Sequence, residues 1–137
     1  MIFINIPVAD LPRAIAFYEK VGAVQNTQFS DDTAAMVSLS PTIAIMLVTH
    51  ARWATFTDRP LAPKGSSEYG LCLTSESREA VDAWVETAVK AGGRADPNPV
   101  QDHGFMYSRG FTDPDDHVWE SVWMDPAVVA GADPQAA

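Results

Sequence analysis

The feature that most restricts how this chain can fold is a repeated order of elements: a strand, an amphipathic helix and three further strands, written twice within 137 residues. Residues 2–8 are apolar and Ile-rich, with Pro7 close enough to the end to be tolerated in a strand. Asp10 then stands where a helix N-cap belongs, and Pro12 falls in the first turn, where its missing N–H costs nothing. Leu11, Ile15, Tyr18 and Val21 make one apolar face, and Gly22 ends the helix. Residues 24–30, 33–39 and 42–49 read as three strands separated by the turn formers Asp31-Asp32 and Ser40-Pro41.

The second pass begins with a strand over residues 68–74 and a helix started by Ser75 or Ser77, with Val81, Trp84, Val85 and Ala88 at helical spacing. Lys90 and Gly92-Gly93 close that helix. Three strands follow, around Arg94 and Ala95, over 105–111 and over 117–123, punctuated by Pro97, Pro99, Gly104 and Pro114. An offset of 66 residues lays Ile15 on Val81, Tyr18 on Trp84 and Phe3 on Tyr69. The pattern predicts an α+β fold of two βαβββ modules, residues 1–49 and 68–125, within one domain spanning 1–125. The connection 50–67, with Pro60, Pro63 and Gly65, is long enough to act as a lid or arm and to hold a short helix, and residues 126–137, rich in Ala, Pro and Gly, are expected to be a flexible tail.

With 47% hydrophobic residues a chain of this length can bury one proper core, and two independent domains would be cramped. The formal charge of -9, from 18 acidic against 9 basic residues, repels phosphate backbones and anionic lipids, which argues against nucleic acid and membrane as partners. Cys72 is the only cysteine and so forms no internal disulfide. No apolar run approaches the roughly 20 residues that span a bilayer, and the amino terminus lacks a signal-peptide pattern, so a cytoplasmic protein is expected.

The stretch VADLPRAIAFYEKVG resembles the opening helix of the vicinal oxygen chelate superfamily, which includes glyoxalase I, bleomycin-resistance proteins and extradiol dioxygenases. GFTDPDDHVWESVW is similar to that superfamily's closing turn and strand, and QDHGFMYSRGFTDPD resembles its small glyoxalase-like members without an assigned reaction. The resemblance implies that the two modules form a curved, open, eight-stranded sheet around a cavity, often completed by a homodimer. It also implies a metal held by one side chain from the first strand and one from the last strand of each module. Those positions fall on Phe3, Met46, Tyr69 (or its neighbour Glu68) and Glu120, and only Glu120 is a ligand type suited to a hard divalent ion. His50, His103 and His117 show no metal-ligand spacing of their own. No metal or other cofactor is therefore expected.

Strand alternation places Phe3, Asn5, Met46, Tyr69, Leu71 and Glu120 in the cavity, an apolar and aromatic lining suited to a small organic molecule, or else simply the filling of a core. Trp119 and Trp123 then face the helices. Glu120 would need a donor such as Tyr107, Arg109 or Asn5, and it is the candidate to contact or deprotonate a ligand. His103, between Asp102 and a strand carrying Tyr107 and Arg109 beside the cavity, is a second candidate acid or base, with turn capping as its commoner role. His117 is assigned to the turn before the last strand or to the outer sheet face. Asp116 stands where the superfamily usually has Gly and must tolerate a positive φ or reshape the turn. Cys72 is expected to be buried packing. These residues predict a metal-independent small-molecule binder of bleomycin-resistance type. The alternative is a lyase, isomerase or dioxygenase using Glu120 with or without a divalent metal, and a structural module without ligand is the third reading.

Overall fold

A computed structural model describes residues 1–131. The first module consists of β1 (Ile2–Val8), α1 (Leu11–Lys20), β2 (Val24–Asn26), β3 (Ala34–Ser40) and β4 (Ile43–Thr49). A short helix α2 (His50–Trp53) opens the connection, and the second module follows with β5 (Leu71–Thr74), α3 (Arg78–Lys90), β6 (Arg94–Ala95), β7 (Gln101–Asp102), β8 (Met106–Thr112) and β9 (Val118–Met124). Each module orders its strands alike. The first runs β1-β4-β3-β2 and the second β5-β9-β8-β6, with the first and last strands parallel and the remaining neighbours antiparallel. The fold is thus α+β with two βαβββ modules. Its strands form two mixed sheets, of four and five strands, rather than one eight-stranded sheet, because β7 adds a second partner for β8 and no strand pairing joins the sheets among the described residues.

The helices start where side-chain oxygens can satisfy otherwise unpaired N–H groups. Asp10 Oδ1 accepts from Arg13 N at 3.0 Å, and Ser77 Oγ accepts from Ala80 N at 3.0 Å. The strand expected over 24–30 stops at Asn26, whose Oδ1 accepts from Gln28 N at 3.1 Å and turns Thr27–Phe29 into a 3-10 helix. The strand expected over 68–74 begins only at Leu71. Beyond Asp125, whose Oδ1 accepts from Ala127 N at 2.9 Å, a short exposed helix α4 (Pro126–Gly131) occupies the start of the expected tail. The rest of that tail lies outside the described residues.

The two modules share one core. Ile6 and Val8 of β1, Ala14, Phe17 and Tyr18 of α1, Val85 and Ala88 of α3, Phe111 of β8 and Trp119 of β9 belong to a single buried cluster. Phe17 and Trp84 both pack edge-on against Phe111, with ring centroids 5.9 and 4.6 Å away, and Trp84 Nε1 donates to Val21 O at 2.9 Å. Burial of such large apolar side chains contributes about 1.5–3 kcal/mol each, so the core welds the modules together through the helices. Alternation then decides what is left over. Ile4, Ile6 and Val8 point to the helices, whereas Phe3 and Asn5 on the same strand remain exposed. In β9, Trp119 and Ser121 are buried while Val118, Glu120 and Val122 occupy the opposite face. Each sheet therefore has one face sealed by the core and one open.

A buried polar chain fixes the turn between β8 and β9. Trp119 Nε1 donates to Tyr18 Oη at 3.0 Å, and Tyr18 donates to Asp113 Oδ2 at 2.6 Å. Asp113 Oδ1 accepts from the backbone N–H groups of Asp115 and His117, both at 2.9 Å. Burial pushes the Tyr18 hydroxyl well above its usual titration range, with the Asp113 charge adding to the effect, and burial also raises the Asp113 carboxyl. Asp116 takes φ 70°, so an aspartate adopts the left-handed conformation expected of Gly in this turn.

Candidate functional site

The open faces can be read residue by residue. Asn5 lies opposite Met46 in the β1–β4 pairing, and Cys72 lies opposite Glu120 in the β5–β9 pairing. The N-caps Asp10 and Ser77 set the true offset between modules at 67, one more than the sequence pattern gave. Phe3 therefore corresponds to Gly70, not Tyr69. Tyr69 is 82% exposed in the connection ahead of β5, with Glu68 exposed beside it. Leu71, assigned above to the cavity, packs on the core, and Cys72, assigned to buried packing, is exposed on the face of Glu120. Partial burial and then the Glu120 charge push the Cys72 thiol up.

Glu120 Oε1 accepts from Asn98 Nδ2 at 2.9 Å, a donor the sequence reading did not consider. Tyr107 and Arg109 are on the opposite, helix-packed face of β8, which corrects their placement beside the cavity. Tyr107 donates to Asp82 Oδ1 at 2.7 Å, and Arg109 bridges Asp82 at 2.9 Å and Asp96 at 2.8 Å. Gly110 is the β8 residue opposite Glu120. A Cβ there would meet Trp119 O at 2.6 Å and Glu120 Cγ at 3.0 Å, so the close approach of these strands requires glycine. His103 is exposed, its Nε2 3.1 Å from Gln101 Oε1, and the neighbouring Asp102 carboxylate is engaged by Arg78 at 2.9 and 3.0 Å instead.

A divalent metal does not fit the residues present. Phe3, Met46 and Gly70, the third position in the true register, offer no hard side-chain donor, and the described residues contain no group of three or more His, Cys, Asp or Glu side chains able to hold an ion.

A large cavity lies elsewhere than the Glu120 face. It measures about 1060 Å³, is open to solvent on one side, and is bounded by the end of β1, the arm of residues 50–67 and the turn 114–117. Asn5 is the one predicted site residue in its wall; Phe3, Met46, Tyr69 and Glu120 are not. Trp53, Phe56, Pro60, Leu61 and Pro63 of the arm give it an apolar side, and Arg13, Arg59, Lys64, His50 and His117 supply polar groups. Hydrogen bonds from both modules hold its frame. Asp115 Oδ1 accepts from Ala9 N at 2.8 Å, His117 Nε2 donates to Pro7 O at 2.7 Å, and Asp116 Oδ2 accepts from Gly65 N at 2.6 Å. His117, assigned to the turn, thus also ties that turn to β1. The sequence signal for this site was the arm's length and its prolines; the cations within it carried no periodicity to read.

The fold and these open faces define a protein of the glyoxalase class. A model of the Glyoxalase/Bleomycin resistance protein/Dioxygenase superfamily matches residues 2–121, and the chain belongs to that superfamily. Among solved structures, the hypothetical protein SA1046 from S. aureus is similar with a TM-score of 0.76 at 21% identity, over 90% of this chain and 92% of that one. A glyoxalase/bleomycin resistance protein/dioxygenase family enzyme from Burkholderia phytofirmans PsJN gives 0.73 at 19%, over 89% and 96%. The fosfomycin resistance protein FosX from Mesorhizobium loti gives 0.66 at 17%, over 95% and 96%. No curated protein matches the chain significantly in sequence. No helix among the described residues is long and apolar enough to cross a membrane.

Proposed function

We propose that this protein binds a small organic molecule in the cavity beneath the arm and does so without a resident divalent metal. The observation that carries the reading is the cavity itself, about 1060 Å³, with aromatic and prolyl side chains and several charged and polar groups in its wall. In the register of the structure, Phe3, Met46 and Gly70 stand at three of the four positions where the superfamily resemblance implies ligands and offer no hard side-chain donor, which supports the metal-free part. The open sheet faces support a homodimer, since exposed Phe3 and the half-buried Met46 and Glu120 would gain cover from a second copy. Calorimetric titration of a panel of ring-containing small molecules against the wild type and Trp53→Ala tests the binding reading. Ligands that bind the wild type and lose at least tenfold affinity on Trp53→Ala are expected; binding indifferent to Trp53 would move the site elsewhere. Elemental analysis should find well under one divalent metal per chain, and light scattering at micromolar concentration should give twice the chain mass.

A further inference from the structure

We infer that the cavity beneath the arm selects an organic anion, a carboxylate carried on an aromatic body. The inference rests on the binding reading above and adds the ligand's charge and shape. The sign comes from the wall. Although the chain carries a formal charge of -9, three of its nine Lys and Arg residues, Arg13, Arg59 and Lys64, line this one cavity. The wall also holds two carboxylates, Asp115 and Asp116, so its Lys and Arg cations outnumber its anions three to two, and Asp115 Oδ2 is buried without a hydrogen-bond partner. Asp115 accepts from Ala9 N and lies 3.5 Å from Arg13, and Asp116 accepts from Gly65 N. Arg59 and Lys64 have no ion-pair partner among the described residues, so their donors are free for an incoming anion. Charge-assisted hydrogen bonds to a carboxylate are about twice as strong as neutral ones, and the apolar arm lowers the competition from water.

The body of the ligand follows from the same wall. Trp53 and Phe56 present ring surface, and the Arg52 guanidinium sits 5.4 Å from the centroid of Phe56, fixing that ring at the rim. Pro60, Leu61 and Pro63 extend that ring surface with side chains that form no hydrogen bonds, so a flat apolar ring fits this part of the wall better than a polyhydroxylated or strongly solvated molecule.

The test uses three compounds sharing one ring system: 2-naphthoate, 2-naphthamide and protonated 2-naphthylmethylamine, titrated calorimetrically into the full chain at pH 7. The naphthoate is expected to bind at least tenfold tighter than the amide, with the ammonium compound weakest, and Arg59→Gln/Lys64→Gln should abolish the preference. Both substitutions are in the exposed arm, and a melting curve matching the wild type verifies folding. Equal binding of naphthoate and amide would overturn the anion assignment while leaving the cavity as a binding site. Naphthoate binding unchanged by Arg59→Gln/Lys64→Gln would likewise overturn it, and absence of binding by all three would refute the aromatic anion, with the Trp53→Ala comparison deciding separately whether the cavity binds anything.

Discussion

Tyr18→Phe removes a single oxygen from the polar chain that connects α1 to the turn beneath the cavity. That oxygen accepts from Trp119 Nε1 at 3.0 Å and donates to Asp113 Oδ2 at 2.6 Å, and all three residues are no more than 3% exposed. No water can take its place without opening the core. The ring survives, so the packing of Tyr18 against Phe17 and Trp119 is preserved and the loss is confined to hydrogen bonds. A hydrogen bond to a charged group contributes about 1.5–3 kcal/mol, and a buried donor left without a partner costs about 1–3 kcal/mol. Because both share one oxygen and the cavity can relax, a combined loss of about 2–4 kcal/mol is expected at pH 7. With a urea m-value of about 2 kcal/mol/M, the midpoint should fall by about 1–2 M. The pH dependence has a definite sign. Burial raises the Asp113 carboxyl above its unfolded value, so its contribution to stability is greatest below about pH 4 and declines as pH rises through the raised folded value. Without Tyr18 the ionised carboxylate loses a donor, so the deficit of Tyr18→Phe should grow from pH 4 to pH 7. A midpoint within about 0.2 M of wild type at pH 7, or a deficit that shrinks with rising pH, would show that the Tyr18 hydroxyl does not bridge Trp119 and Asp113.

Glu120→Gln should leave the unfolding free energy from urea titration within about 0.5 kcal/mol of wild type, since the side chain is at the surface and an amide can keep the Asn98 contact. The same substitution removes a charge that raises the Cys72 thiol, so the pH profile of its reaction with a disulfide reagent should move to lower pH; an unmoved profile would place the carboxylate too far away. Gly110→Ala forces a Cβ to 2.6 Å from Trp119 O and should destabilise by about 1–3 kcal/mol, read as a lower melting temperature. Arg78 holds the Asp102 carboxyl down to about 2, so this pair stabilises above about pH 4 and its contribution is lost as pH falls towards 2. Asp102→Asn should flatten that acid limb of a urea-midpoint series, and an unaltered slope would count against the pairing.

The first module was largely legible because its signals are local. β1 runs from Ile2 to Val8 as its apolar run indicated, and Asp10 caps α1 as its position before Pro12 implied. The second module was legible in its order but not in its register. Matching bulky residues laid Ile15 on Val81, yet the α1 residue in the place of Val81 is Ala14, 1% exposed, while Ile15 is only half-buried. On α1 a small side chain takes the buried position that Val81 fills on α3, and a pattern that scores bulk cannot see this. The slip of one residue has a large consequence in a strand, where successive side chains alternate faces. It put Tyr69 in place of Gly70 and exchanged Leu71 with Cys72. Tyr107 and Arg109 went astray for a related reason. Their face depends on Gly110 pairing with Glu120, which is set by the turn between β8 and β9 and not by any apolar alternation, since β8 carries polar residues on both faces.

The cavity beneath the arm was hidden by averaging and by distance along the chain. Net charge is a sum over 137 residues, and -9 rules sensibly on long polyanions that touch a wide surface. It says little about a ligand that meets only Arg13, Arg59 and Lys64, because screening limits the reach of exposed charges to about a Debye length, roughly 8–10 Å. What brings those three together is the hydrogen bond from Ala9 N to Asp115, between residues 106 apart in sequence, together with the Asp116 contact to Gly65 that pulls the arm back over β1. Asp116 reaches Gly65 from a left-handed backbone, so the residue that departs from the usual glycine of this turn gives the turn a carboxylate that anchors the arm. An acidic substitution in a turn thus helps to assemble a basic cavity, and neither end of that relation is visible until the chain is folded.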